Sequence, residues 1–291
     1  HFNQSLLLVL PQPPNPDHLR QSLQGLIDHH NLLRCAFTRN DSGKWMAEVL
    51  PVGVPAPDVD FLNLTGLPPE QQDAALTQAC AQLQASLNLA QPPLIAARLF
   101  WLGAARGARL LLAAHHLTID AVSWRIVLDD LQFALAQAQA GKEILLPPGS
   151  VSFRRWAHAL QELAASPVIA DEVLYWLSVP LPDPLPCDGD PAQNLAGNAQ
   201  VLSIGLTRAE TQALQRTAAA LHATPEQMLL AALACALSGW LGSGESVIEL
   251  EHHGRSDLPN LDVSRTIGWF TAAFPFALAR STSDPNAARR M

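Results

Sequence analysis

The tightest constraint on the fold is a junction in the middle of the chain. The apolar run Leu110–Leu112 passes through Ala113-Ala114 into His115-His116-Leu117-Thr118-Ile119-Asp120, and an amphipathic run from Ser123 to Leu135 follows at once. Such a pattern predicts a buried strand, a short polar turn and a helix, with the histidine pair at the strand end. Neighbouring strand residues point to opposite faces, so only one of the two histidines faces a given cavity. Asp120 is near enough to orient an imidazole and raise its basicity. The competing reading is a polar corner in the core, with one histidine bonded to backbone and the other exposed. A second pair, His29-His30, lies on a predicted helix with no evident task. Zinc is a rival use of the same side chains, but it takes three or four protein ligands and the cysteines are scattered, so no metal is expected.

The chain has 291 residues, which suits about two domains. Hydrophobic residues are 48% and charged residues 15%, a globular balance with much to bury. A net charge of −8 argues against nucleic acid or an anionic membrane as partner. Arg98 and Arg109 interrupt the longest apolar runs, short of the roughly 18 residues a spanning helix needs. Cys35, Cys80, Cys187 and Cys235 form no Cys-x-x-Cys pair, so reduced thiols and a cytoplasmic location are expected. The chain opens on His1 with no export signal, and reads as a piece of a longer polypeptide.

In order, a strand is expected over Ser5–Leu10. Asn15-Pro16-Asp17 then caps a helix ending near Arg34. A hairpin pairs Cys35–Phe37 with Trp45–Ala47 around Asn40–Gly43. A loop from Pro51 to Pro69 leads to a helix over Glu70–Leu87. Strands over Ile95–Leu102 and Ala108–Ala114 precede a helix over Ala121–Ala140, and two more helices begin near Ser152 and Ala170. Five prolines between Pro180 and Asn198 mark a crossover or domain boundary. Beyond them, Ala199–Leu206 alternates as a strand. Thr207 to Glu210 and Thr224 to Gln227 are capping boxes opening two helices. Val247–Leu250 is a short strand, and the chain closes on a polar tail. Irregular alternation of helices and strands points to two α/β or α+β lobes rather than a barrel. The lobes expected are residues 1–180 and 199–291, with 181–198 as the crossover.

A second candidate centre is Glu251-His252-His253-Gly254-Arg255. A strand-end glutamate with an arginine four residues on forms an ordinary ion pair in many proteins. A partly buried glutamate also serves as an acid or base when its pKa rises. Ser123 lacks the Gly-x-Ser-x-Gly setting of a nucleophile and reads as a helix-start residue. No glycine-rich phosphate loop is present.

His115-His116-x-x-x-Asp120 resembles the His-His-x-x-x-Asp-Gly signature of the condensation-type domains of nonribosomal peptide synthetases. The continuation Val122-Ser123-Trp124-Arg125-Ile126 is closer to their epimerization branch. His1-Phe2-Asn3-Gln4-Ser5, Glu251–Arg255, and Arg265-Thr266-Ile267-Gly268-Trp269-Phe270-Thr271 with Phe274-Pro275 are similar to further motifs of that family, in the same order, and the last is one where condensation domains differ. The resemblance spans the chain. It implies two chloramphenicol-acetyltransferase-like lobes arranged as a V, an additional strand before His1 and a substantial part after Met291, leaving the second lobe incomplete here. It further implies a carrier protein presenting an aminoacyl or peptidyl thioester on a phosphopantetheine arm, neighbouring synthetase modules, and inversion of an L residue to D. Its catalytic pair falls on His116 and Glu251, supported by His115, Asp120 and Arg255. Arg255 would stabilise an enolate-like oxygen or pair with a carboxylate. No metal or other cofactor is implied. The chain departs from the family pattern at Ala121 and His252, where glycines are usual, and at Ser256, where a glutamate is usual. A condensation domain and a non-catalytic carrier-docking platform are the alternatives.

Overall fold

The computed structural model describes residues 2–179, 185–242, 245–255, 258 and 260–279. The chain divides into two compact units, His1–Ser166 with His253–Ala272, and Pro167–His252 with Ala273–Met291. The proline-rich run at 181–198 falls within the second unit, and residues 181–184 of it lie outside the described residues.

In the first unit the elements run β1 (Asn3–Leu10), α1 (Pro16–His29), β2 (Cys35–Arg39), β3 (Trp45–Val49), β4 (Asp60–Asn63), α2 (Pro69–Ala85), β5 (Ile95–Trp101), β6 (Ala108–His115), α3 (Ala121–Gln139) and α4 (Phe153–Ala164). One four-stranded sheet has the order β1-β6-β5-β4, and β2 pairs with β3 as a hairpin. β6 is antiparallel to both β1 and β5, while β4 joins β5 in parallel.

Burial on both faces explains the unbroken apolar run that precedes the histidines. On one face Leu110, Leu112 and Ala114 of β6 meet Ile95, Ala97 and Leu99 of β5 under α1 and α3. On the other, Leu111 meets Ala96 and Phe100 under Ala79 and Leu83 of α2. Helix α1 starts as its residues dictate: the Asn15 side chain accepts from the Asp17 and His18 amides, and Pro16 fixes the first turn. It is shorter than expected, because Asn31–Arg34 tightens into a 3₁₀ turn.

β4 forms where a loop is expected. It is four residues long at the sheet edge, too short for periodicity to reveal. Its register is held by Asp60, whose carboxylate lies 2.6 Å from Arg98 of β5.

In the second unit, α5 (Pro167–Ser178) and two 3₁₀ turns are followed by α6 (Arg208–Ala220), α7 (Pro225–Leu241), β7 (Glu245–His252) and β8 (Ala272–Ala279). Both capping boxes are formed, at Thr207 with Glu210 and at Thr224 with Gln227. β8 pairs with β7 and was not expected. The strand expected over Ala199–Leu206 is absent. Residues 200–206 carry no regular structure, and Val201, Leu202 and Ile204 are 86–91% exposed. Alternation makes a strand only where a partner covers one face, and no described strand lies beside this segment. Among the described residues no single helix is long and apolar enough to cross a membrane.

The sheet of the first unit sets its stability. Leu112 is fully buried at the centre of the larger core cluster. Leu112→Ala is expected to cost about 2–5 kcal/mol, read as a lower urea midpoint with an unchanged slope; a cost below about 1 kcal/mol contradicts the placement.

Candidate functional site

The junction folds as strand, 3₁₀ turn and helix. β6 ends at His115, and residues His116–Thr118 form the turn. The backbone N–H of His116 donates to the Phe2 carbonyl at 2.9 Å, and that of His115 donates to Leu94 at 3.0 Å. The pair is therefore clamped between β1 and the start of β5.

The two histidines then diverge. His115 Nδ1 accepts from the Leu117 amide at 3.3 Å. Burial, then the adjacent His116, hold its pKa below the usual 6.5. His116 packs against two aromatic rings, Phe2 and Trp269, which also contact each other at 5.7 Å. Phe2 stacks on it at 5.1 Å with 14° between planes, and Trp269 packs at 4.3 Å with 33°. Its Nε2 is 3.0 Å from the Gln4 amide nitrogen.

Asp120 is 2% exposed and caps α3, accepting from the Ser123 amide at 2.7 Å. The same oxygen receives Arg255 at 3.1 Å, and its other oxygen accepts the Phe270 amide at 3.1 Å. Both terminal nitrogens of Arg255 are engaged, while its Nε meets no hydrogen-bond partner among the described residues. Arg255 also donates to the carbonyls of Val263 and Thr266, at 2.9 and 2.7 Å, and to Ser123 Oγ at 2.9 Å. Its guanidinium lies 4.0 Å over the Phe270 ring. Ser123, a helix-start residue by sequence, additionally bonds both N–H and C=O of Gly268 at 3.0 Å.

A second buried pair repeats the device further along α3. Asp130 is 1% exposed and lies 2.8 Å from His30 Nε2, while its other oxygen takes Arg265. Burial pushes its carboxyl up, but the bond and charge of His30 and then Arg265 outweigh that and hold it below the usual 3.8. His29, His30 and Asp130 bring ligand-type atoms within 4.8 Å, but both carboxylate oxygens of Asp130 are already used, which suits an ion-pair cluster.

These bonds tie segment 253–272 to α3 and carry Trp269 onto His116. Two glycines permit the approach. Gly254 has φ +63°, and a Cβ there would stand 1.9 Å from the Phe270 carbonyl oxygen. A Cβ on Gly268 would stand 2.3 Å from the Phe153 ring.

A largely apolar cavity of about 780 Å³ is lined by Leu117 and Trp269, the neighbours of His116, and by Phe37, Val49 and Phe153 among others. Cys35 also lines it, and burial pushes its thiol up to about 11, away from nucleophilic use.

His116, His115, Asp120 and Arg255 all lie in the first unit, where Asp120 and Arg255 pair with each other and bind the segment that carries Trp269 to His116. Glu251 lies near the end of β7 in the second unit and is exposed. His1 and Ser256 lie outside the described residues. Sequence reasoning did not single out Gln4, Phe2, Trp124 or Trp269 as individual site residues. Their signal was membership of the motif segments flanking the histidines.

The condensation-domain family matches residues 1–288, and the chain belongs to that family. Chondramide synthase cmdD of Chondromyces crocatus is 39% identical over 286 residues, covering 96% of this chain and 7% of that protein. Surfactin synthase subunit 2 of Bacillus subtilis is 32% identical over 291 residues, covering 99% of this chain and 8% of that protein. The chain therefore spans only a small part of these relatives. The epimerization domain from the third module of tyrocidine synthetase B matches with a TM-score of 0.89 and 32% identity, over 100% of this chain and 65% of that one. The first condensation domain of the calcium-dependent antibiotic synthetase shares the fold, with a TM-score of 0.77 at 20% identity over 99% of this chain and 67% of that one. The mixed α/β architecture expected from sequence is that of this family.

Removing one partner of a buried ion pair strands the other's charge, so Asp120→Ala is expected to destabilise the first unit by about 3–5 kcal/mol in urea unfolding. Asp130 carries a pH consequence. A depressed carboxyl adds stability above its unfolded value, near 3.8, that disappears as pH falls through the lower folded value. Stability should therefore fall below about pH 4, and Asp130→Asn should flatten that fall; an unchanged acid limb contradicts the assignment.

Proposed function

We propose that this domain epimerises the α-carbon of an L-aminoacyl or peptidyl thioester held on the phosphopantetheine arm of a carrier protein, within a nonribosomal peptide synthetase. The observation that carries this reading is the likeness to the tyrocidine epimerization domain, at 32% identity over the whole chain, where the calcium-dependent antibiotic condensation domain shares 20%. The environment of His116 supports it, since Trp124 and Trp269 come from the two segments whose resemblance is to the epimerization branch.

A thioester's α-proton is weakly acidic. Its removal leaves an enolate-like anion, and inversion requires a proton to return on the opposite face. In the proposal His116 and Glu251 are the two acid/base groups: one takes the Cα proton, and the conjugate acid of the other delivers one to the far face. Proton transfer by a placed side chain contributes about 10²–10⁴-fold. Hydrogen-bond donors on the developing oxyanion would supply much of the remainder. Asp120 and Arg255 take the supporting role their mutual bond suits, and His115 steadies the turn. The proposal uses side chains and the carrier's arm, with no metal or further cofactor. Its partners are the carrier protein and adjacent modules.

The test loads the carrier in the natural polypeptide with an L-aminoacyl thioester in deuterated buffer. D product bearing α-deuterium is expected. His116→Ala and Glu251→Gln should each lower exchange by about 10²-fold or more. A dipeptide in place of exchange would assign the domain to condensation. Tight carrier binding with neither product would make it a docking platform.

A further inference from the structure

The ring of His116 has a third neighbour besides Phe2 and Trp269, the Gln4 amide, and that amide has only one chemically consistent orientation. Trp124 sits in the first turn of α3, and its indole N–H donates and cannot accept. It donates to Gln4 Oε1 at 3.0 Å. The other end of the amide, the NH₂ group, is therefore the end that lies 3.0 Å from His116 Nε2. An amide NH₂ offers no lone pair. Nε2 must accept, and the neutral ring then carries its single proton on Nδ1. Nδ1 itself is buried and meets no hydrogen-bond partner among the described residues, so its N–H is unpaired and the contact with Gln4 is the hydrogen bond that sets the tautomer. At His115 the pattern is reversed: Nδ1 accepts from the Leu117 amide, which leaves that ring's proton on Nε2. The two adjacent histidines hold opposite tautomers.

We infer that Gln4, held by Trp124, is a positioning residue that sets the tautomer of His116. The inference rests on the reading of His116 as an acid/base group in the proposed epimerisation. Strand geometry puts Gln4 in place. Gln4 pairs with Ala114 across the β1–β6 ladder, so its side chain emerges on the face that packs under α3. Asn3 points the other way and donates to the Gln84 carbonyl at the end of α2, at 2.7 Å. In an acid/base residue the site of the ring proton decides which edge gives a proton and which receives one. Phe2 and Trp269 limit rotation of the ring out of plane, and Gln4 determines the protonated edge within it. One task thereby unites Gln4 of the first motif segment, Trp124 just beyond the histidines and Trp269 of the last segment.

Gln4→Glu tests this directly in the natural polypeptide with its carrier. The carboxylate keeps the side chain's size and still accepts from Trp124, but it turns an acceptor toward Nε2 and reverses the tautomer. A Gln4 that merely filled space and held Trp124 would tolerate the change. Turnover in α-deuterium exchange is expected to fall about 10–100-fold, with KM for the loaded carrier within about twofold and thermal stability unchanged. Trp124→Phe, which frees the amide to rotate, should lower turnover in the same sense. The second readout does not depend on activity. In ¹⁵N-histidine NMR at about pH 8, above the ordinary imidazole range, the His116 signal, identified by its loss in His116→Ala, should show Nδ1–H in the wild type and Nε2–H in Gln4→Glu. A wild-type ring protonated on Nε2, or Gln4→Glu exchanging at the wild-type rate, overturns the inference. Absence of exchange in the wild type overturns the epimerisation reading instead, and the tautomer is still decided by NMR.

Discussion

A carboxylate removed from water has to be neutralised from within the protein, and Asp120 meets that demand with contacts that organise the whole neighbourhood of His116. It stands at the N-terminus of α3, where the helix dipole favours a negative charge. Its two oxygens collect the Ser123 amide, the Arg255 guanidinium and the Phe270 amide. The last two come from far along the chain, so satisfying Asp120 also docks segment 253–272 on the helix. Asp130 repeats the arrangement with Arg265 about 15 Å further along the helix. Two points of attachment, with Ser123 and Gly268 between them, leave that segment little freedom. Trp269 is consequently delivered to the His116 ring by electrostatics that begin elsewhere.

Arg255 shows how this divides labour. Its terminal nitrogens are taken by Asp120, Ser123 and the carbonyls of Val263 and Thr266, and Phe270 covers its face. A guanidinium whose two terminal nitrogens are both taken in this way is a clamp. Of the two roles open to it from sequence, this geometry fills the pairing with a carboxylate. The groups left to face a substrate are then few, which gives the ring orientation of His116 its importance.

Much of the fold is legible from sequence because it depends on local signals. The apolar run of β6 reports burial on both sheet faces, the spacing in α3 reports one buried side, and the Asn15, Thr207 and Thr224 caps are written in three or four residues each. The readings that failed depend on partners. Ala199–Leu206 has the alternation of a strand and no described neighbour to pair with, whereas β4 has a partner and is too short to show a period. Ser123 looks like a helix-start residue and is one, yet its bonds to Gly268 join positions 145 residues apart, which spacing within a motif does not reveal. The Gln4–His116 contact is hidden for the same reason, at a separation of 112.

The departures from the family pattern can be weighed by what the backbone asks at each position. Ala121 is the first residue of α3 and is exposed, and the only described non-glycine with positive φ is His222. Nothing in the helix start requires glycine there, so alanine fits without strain. Gly254 is the opposite case. Its φ of +63° and the Phe270 carbonyl at 1.9 Å from any Cβ admit no side chain. Gly268, under the Phe153 ring, is similarly restricted. The chain thus has alanine where the fold makes no steric demand and keeps glycine at the two places where segment 253–272 could not otherwise approach. Glycine at these two positions lets the segment hold Trp269 against His116, the geometry on which the proposed chemistry depends.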